Sequence, residues 1–416
     1  MNTGDTAFVL ISAALVMFMV PGLALFYGGL VRSKNVLATV LQSFFTLGIV
    51  SVLWVLIAYT LAFGPDVAGI IGNLNYLGFN GVGQDPNPDL APTIPHIAFA
   101  TFQMFFAAIT PALITGAFAE RMKFRAFAVF TALWLLLVYA PLAHWVWAPG
   151  GWIRSLGALD FAGGTVVHIA AGVAGLAAAF VLGKRKGIKK ENSLIAHNVP
   201  FTMLGAGMLW FGWFGFNAGS ALGAGGLAAS AFLVTNTATG AAMLGWAIVD
   251  RIKHRRITSV GAATGAIAGL VAITPAAGFV GPLGAIAIGL IAGIGCAYAV
   301  DLKWKAGYDD ALDVVGVHAV GGIIGALLIG VLASTAVNPA GVDGLLYGGG
   351  LALLGKQLLA ILAAGSFAFV GSWLLLKLVD KFIGLRVTSE EEHRGLDHSQ
   401  HAESGYTFDH PTPKEA

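Results

Sequence analysis

The stretch "DFAGGTVVHIAAG", Asp160–Gly172, decides how this chain reads. It is small and apolar, yet it opens on a carboxylate and holds a histidine eight residues on, with no further ionisable group through Leu182. A second stretch, "DALDVVGVHAVGG", Asp310–Gly322, repeats the arrangement around His318. With His168 laid on His318, Asp160 matches Asp310, Val167 matches Val317, Gly172 matches Gly322 and Gly175 matches Gly325. The shared pattern is D-x6-V-H-x3-G-x2-G. Glycine and valine are common here, so some of these matches can arise by chance. The two histidines and their carboxylates are harder to dismiss.

Composition sets the solvent. Of 416 residues, 57% are hydrophobic and 11% charged, and mean hydropathy is +0.80. A soluble domain carries roughly 25% charged residues, so this chain cannot cover itself with polar surface and the lipid bilayer becomes its expected surroundings. The net charge of +2 gives no reason to expect nucleic acid as a partner. The single cysteine, Cys296, excludes an internal disulfide. Glycine, at 57 residues, suits membrane helices that approach closely through small residues. The first residues, "MNTGDTAF", carry no basic region ahead of the apolar run, so the first segment reads as a retained span and not a cleaved signal.

A spanning helix needs about 20 apolar residues. Eleven segments qualify: 6–31, 36–63, 96–118, 124–146, 162–183, 199–218, 226–249, 261–280, 282–302, 314–334 and 350–383. The last is long enough to tilt or project from the membrane. The expected fold is therefore an all-α polytopic membrane protein with membrane domain 1–383 and a polar tail at 384–416. Between spans 2 and 3, the Gly-, Pro-, Asn- and Asp-rich segment 64–95 reads as irregular structure. Loops after the odd-numbered spans hold sixteen lysines and arginines, among them Arg32, Arg121, Lys184–Lys190, Arg251–Arg256 and Lys303. The opposite side holds Arg154, with Lys356 near the start of the last span. Basic loops stay in the cytoplasm. The N-terminus is expected outside and the tail inside, in a multi-pass protein of the cell (inner) membrane.

His168 falls in span 5 and His318 in span 10. Halves of five spans each, about 6–183 and 199–334, face opposite ways because five is odd. Inverted repeats of this kind place substrate sites near the midplane at the repeat interface. The two histidines are thus expected to meet across a pseudo-two-fold axis. One intramembrane histidine is often only a hydrogen-bonded packing residue; two at matched positions mark a pathway, because ionisable groups there are costly. A two-histidine metal site is a weaker alternative, since stable sites take three or four ligands and no third is near in sequence. No nucleophile–base pair suggests an enzyme, and no cofactor is expected.

Several longer motifs resemble the Amt/Mep/Rh ammonium transporters, on the bacterial Amt side. They are the two histidine stretches, "PGLALFYGGLVRSKN" (Pro21–Asn35), "GAFAERMKF" (Gly116–Phe124) and "GWFGFNAGS" (Gly212–Ser220). The resemblance runs from residue 7 to about 406. It implies a homotrimer of eleven-helix subunits, each with its own narrow pore. It implies an external ammonium or methylammonium site at Phe106, Trp147 and Ser220, a stacked gate at Phe106 and Phe216, and a pore or proton relay at His168 and His318. Asp160 takes the family's structural role beside the site, with Asp310 and Asp313 near the second histidine. The Rh branch lacks the Trp and Ser of the outer site. In the tail, "HAESGY" (His401–Tyr406) replaces the family's commoner His-Gly-Glu motif before its tyrosine. A PII-type signal protein is a possible partner on the cytoplasmic face.

The residue types suit that substrate. Tryptophan offers the best cation–π face, worth roughly 0.5–2 kcal/mol. A serine hydroxyl can accept one of ammonium's N–H bonds, which K⁺ does not have. Each residue also has a plainer reading. Trp147 suits an interfacial aromatic belt, Phe106 and Phe216 suit packing, and Ser220 and Asp160 suit helix caps. Two other functions fit the same motifs: an ammonium sensor, which in the family carries an appended signalling domain where this tail has only 384–416, and an Rh-like NH₃ gas channel.

Overall fold

A computed structural model describes residues 1–187 and 196–406. The basic loop after span 5 is therefore followed only through Lys184, Arg185 and Lys186; Lys189 and Lys190 lie outside the described residues. Among those described, ten helices are long and apolar enough to cross a membrane, and an eleventh, shorter one completes the set. They are α1 (Thr3–Leu30), α2 (Ser33–Phe63), α3 (His96–Phe118), α4 (124–147), α5 (Gly164–Leu182), α6 (Val199–Gly219), α7 (Gly226–His254), α8 (Ser259–Ile273), α9 (Pro282–Ala306), α10 (Val315–Leu332) and α11 (Ala352–Ile383).

The two largest departures from the hydropathy reading lie at the ends of α8 and α7. The eighth helix stops at Ile273 and not near 280. Pro275 two residues on disfavours helix at Thr274, and residues 274–279 form turns instead. Helix α7 runs on to His254, because Arg251, Lys253 and His254 continue it beyond the apolar stretch and suit a helix C-terminus. The segment 64–95 is also more regular than its composition suggests. It holds two small antiparallel pairs, β1 (Asp66–Val67) with β2 (Ile71–Gly72) and β3 (Pro86–Asn87) with β4 (Ala91–Pro95). His144 Nε2 lies 2.8 Å from Asp66 Oδ1, and the Trp145 indole donates to Ile70 O, so α4 clamps the first pair.

The two halves meet through glycine. A Cβ added to Gly172 would come within 2.2 Å of Ala319 N, and one on Gly322 within 2.9 Å of Ile169 Cγ1. Those contacts are reciprocal under the 150-residue offset, since Ile169 and Ala319 are themselves equivalent positions. Such reciprocity is the signature of a two-fold contact. It brings α5 and α10 together at the centre of the molecule. Helix α1 packs on its counterpart α6 the same way, with Gly205 lying against the Phe26 backbone. Helix α11, at ~1.5 Å per residue, is ~48 Å long and straps both halves. Its buried Gln357 bonds Leu159 N and O on one side and Ala326 O on the other.

The tail folds back onto its own chain at the basic end. Lys123 donates to Leu385 O, and Val387 donates to Arg121 O. A capping box at Thr388 and Glu391 starts α12 (Ser389–Arg394), and α13 (Leu396–His401) follows. Leu385, Val387 and Leu396 are buried as apolar anchors. The acidic run divides its work: Glu392 pairs with Arg386 and accepts from Lys186 N, Glu391 serves the capping box, and Glu390 is exposed. Asp397 caps the start of α2 through Leu37 N and Ala38 N. Tyr406 reaches His197 at 2.7 Å.

Candidate functional site

Three layers of side chains line one path. At the end bearing the 64–95 loop, Phe106, Trp147, Ser220, Phe99 and Gln103 share a cavity of about 170 Å³. The Trp147 ring stands edge-on to Phe106 at 6.0 Å, and its indole N–H donates to Asp160 O at 3.1 Å. Ser220 donates to Phe216 O at the end of α6, which leaves its lone pairs for a donor in the cavity. Its backbone caps the C-terminus of α6.

Below the cavity, Phe106 and Phe216 stack with centroids 4.1 Å apart and planes at 24°. They close the path between α3 and α6. Beneath them lie the histidines. His168 Nδ1 and His318 Nδ1 are 3.3 Å apart, and the rings are nearly parallel at 20°. Both are buried. Their neighbours in a narrow slot are almost wholly apolar, including Leu23, Ile109, Val167, Leu209 and Ile267. His168 Nε2 is buried without a partner, and a buried polar atom of this kind calls for an explanation.

Local backbone geometry presents these rings. His168 and His318 each sit on a π-helical turn, Gly164–Ile169 and Val315–Ala319. Such turns are rare and are frequent at functional sites. Each is anchored by the carboxylate eight residues before its histidine. Asp160 accepts backbone N–H groups from Gly163, Gly164, Thr165 and Val166. Asp310 accepts Val315 N–H, the position equivalent to Thr165. Asp160 therefore holds the turn, with both oxygens accepting backbone N–H groups. Asp313, at φ 63°, pairs with Lys303.

Some of the lining escaped the sequence reading. Trp213 stacks on His168 at 5.3 Å and is held by Thr274 Oγ1; its spacing from Phe216, three residues, put both on one face of α6. Gln103 leaves its buried Oε1 unpaired beside the outer cavity. Arg154 stands at the same cavity and donates to Trp147 O. Nothing in the sequence alone separated these two from ordinary loop and helix residues. Among the described residues no cluster of three His, Cys, Asp or Glu could hold a metal ion.

A family profile described as Ammonium Transporter Family matches residues 7–406. The chain belongs to the ammonium transporter family. It is 54% identical to an ammonium transporter of Bacillus subtilis over 98% of this chain and 99% of the relative. It is 48% identical to ammonium transporter Amt1 of Archaeoglobus fulgidus, over 98% and 100%. Its fold matches the crystal structure of Saccharomyces cerevisiae Mep2 with a TM-score of 0.87 at 38% identity, over 94% of this chain and 91% of that one. It also matches a solved structure called Sensor Amt Protein, with a TM-score of 0.86 at 32% identity, over 95% and 97%. As a family member this is a multi-pass, all-α membrane protein of the ammonium transport class.

Proposed function

We propose that this chain captures NH₄⁺ at Phe106, Trp147 and Ser220, removes a proton, and conducts NH₃ past the Phe106–Phe216 gate and along His168 and His318. The proton follows separately over the histidines, so transport is electrogenic. The basic end then faces the cytoplasm and the N-terminus lies outside, in the cell membrane, with the chain assembled as a homotrimer. The observation that carries this reading is the histidine pair, 3.3 Å apart in an apolar slot beneath an aromatic cavity.

Magnitudes favour deprotonation. A full charge at the bilayer centre costs from about 3 to about 17 kcal/mol. Removing a proton from an amine of pKa roughly 10 at pH 7 costs ~4 kcal/mol. Neutral imidazoles both donate and accept, so the free His168 Nε2 suits NH₃ while the shared Nδ1 atoms suit a proton. An ammonium pulse applied to proteoliposomes should evoke a current. A gas channel would give NH₃ flux without it. A sensor, the reading favoured by the likeness to Sensor Amt Protein, would give neither.

The outer site yields a separate expectation. Trp147→Leu and Ser220→Ala should each raise the apparent KM for methylammonium severalfold, as expected for about 1 kcal/mol of lost cation–π or hydrogen-bond energy. Unchanged KM in both variants would place capture elsewhere.

The tail supports regulation at the basic end, where a PII-type protein would bind. Removing residues after Gly384 takes away the buried anchors and the Asp397 cap on α2. Exposed charge pairs contribute little, about 0–1 kcal/mol each, so these buried contacts carry the docking. The truncated protein should insert and fold but transport more slowly or without normal regulation. Full activity with an unchanged response to a PII partner would make the tail a passive end.

A further inference from the structure

The pseudo-two-fold pairs Asp160 with Asp310, yet the two carboxylates are used differently. Asp160 spends both oxygens on four backbone N–H groups. Asp310 is the more buried of the two, 1% exposed, but accepts at Oδ2 from Val315 N, while Oδ1 is buried with no partner. Here one oxygen holds the turn, and the second, buried and bare, carries a cost that calls for an explanation.

The surroundings connect that oxygen to two places. Val315, whose N–H Asp310 captures, begins the π-helical turn that carries His318. Tyr27, which lines the histidine slot, comes beside Val314 at the start of that turn, since a Cβ added to Gly116 would meet Tyr27 Cζ at 2.6 Å and Val314 Cγ2 at 2.7 Å. On the other side, Lys303 Nζ donates to Asp310 O and pairs with Asp313. Asp313 in turn lines a cavity of about 520 Å³ at the basic end, together with Lys253, Arg256 and Thr264. Asp310 thus lies between the histidine slot and the basic-end opening.

We propose that Asp310 is the proton acceptor at the inner end of the path, taking at Oδ1 the proton that leaves His318 and passing it toward the Asp313 cavity. This rests on the relayed-proton reading above. An imidazolium N–H bond breaks, an O–H bond forms at Oδ1, and the proton then leaves to water, where it rejoins the NH₃ that came through the pore. Nothing is oxidised or reduced. The charged and titratable groups facing Asp310 are Lys303, Asp313, Arg121, Tyr27 and Tyr308. Burial pushes the Asp310 carboxyl up to about 6, with Lys303 pulling against it and Asp313 adding to it, which suits a group that must both take and give a proton near neutral pH.

The test uses the full chain in proteoliposomes, with ammonium-evoked current and NH₃ flux measured side by side. Asp310→Asn should keep NH₃ flux within about twofold while current falls at least tenfold, and Asp310→Glu should restore part of the current. Asp160→Asn, which disturbs the paired turn, should lower both together. Current within twofold of wild type in Asp310→Asn would make the residue structural, as would joint loss of current and flux in a correctly folded variant. Should Asp310→Asn not fold, the wild type decides: at fixed driving force, inward current should fall as internal pH drops through about 6 while NH₃ flux holds. Equal pH response of both would overturn the proposal. A wild type with flux but no current would instead sink the relay reading itself, and the proposal with it.

Discussion

With His168 replaced by aspartate, K⁺ is expected to carry a current through a pore that excludes it in the wild type. The wild-type slot offers K⁺ little: its walls are mostly apolar, the Tyr27 hydroxyl and Trp213 indole N–H that line it are already bonded to Leu113 O and Thr274 Oγ1, and what remains is two imidazoles. K⁺ cannot shed its charge as NH₄⁺ can. Its crossing must bear the full desolvation cost, which at even the lower bound of about 3 kcal/mol suppresses flux by more than a hundredfold. Aspartate at 168 places a fixed negative charge in the slot and draws water after it. The K⁺ current should rise at least tenfold, and selectivity for ammonium should fall. The same change at His318 should act in the same direction, because the rings are neighbours at 3.3 Å. Whole-liposome currents under K⁺ and NH₄⁺ gradients decide it. A wild-type K⁺ current comparable with that for ammonium would refute deprotonation.

Much of this architecture is legible in the chain because membrane helices must satisfy their backbone within themselves. Hydropathy therefore places ten helices closely, and the one large boundary error lies at Pro275, where a local backbone effect overrides an apolar sequence. The pairing of His168 with His318 follows from the 150-residue repeat. Less legible were the π-helical turns that aim those histidines, since no residue type marks them. Also hidden were groups made important only by three-dimensional company. Gln103 and Arg154 gain meaning at the outer cavity, and Trp213 by stacking on His168. The asymmetry between Asp160 and Asp310 is invisible in a pattern that scores them as equals. In the tail, single residues, Glu392 and Asp397, make the specific bonds, and a polar composition does not pick them out.

The basic end holds a buried ion-pair network, and Arg185→Met should expose its contribution. Arg185 is 3% exposed. Its guanidinium spans Glu120 at the end of α3 and Asp309 ahead of α10, with bonds of 2.8–2.9 Å. It therefore ties the first half to the second. Glu120 also accepts from Arg32 and Asn35, and Asn35 Oδ1 accepts from Leu396 N in the tail. Removing the guanidinium leaves two buried carboxylates short of a partner, and breaking a buried pair in this way costs about 3–5 kcal/mol. Arg185→Lys should fall between, since an ammonium cannot fork to both acids. The acid response follows from the carboxylates. Burial opposes charge on Glu120, but Arg185 and Arg32 outweigh it and hold the carboxyl down at about 2; Asp309 is likewise held well below its usual range against burial. A carboxyl whose folded pKa is depressed stabilises the fold above its unfolded pKa, roughly 4.3, and that contribution is lost as pH falls toward the folded value. Thermal unfolding in detergent should therefore show a large gap between wild type and Arg185→Met at pH 7. The gap should narrow as pH drops from about 5 toward 3, because the wild type loses what the variant never had. A gap that stays constant over that window would mean the network packs the basic end together without holding it by charge.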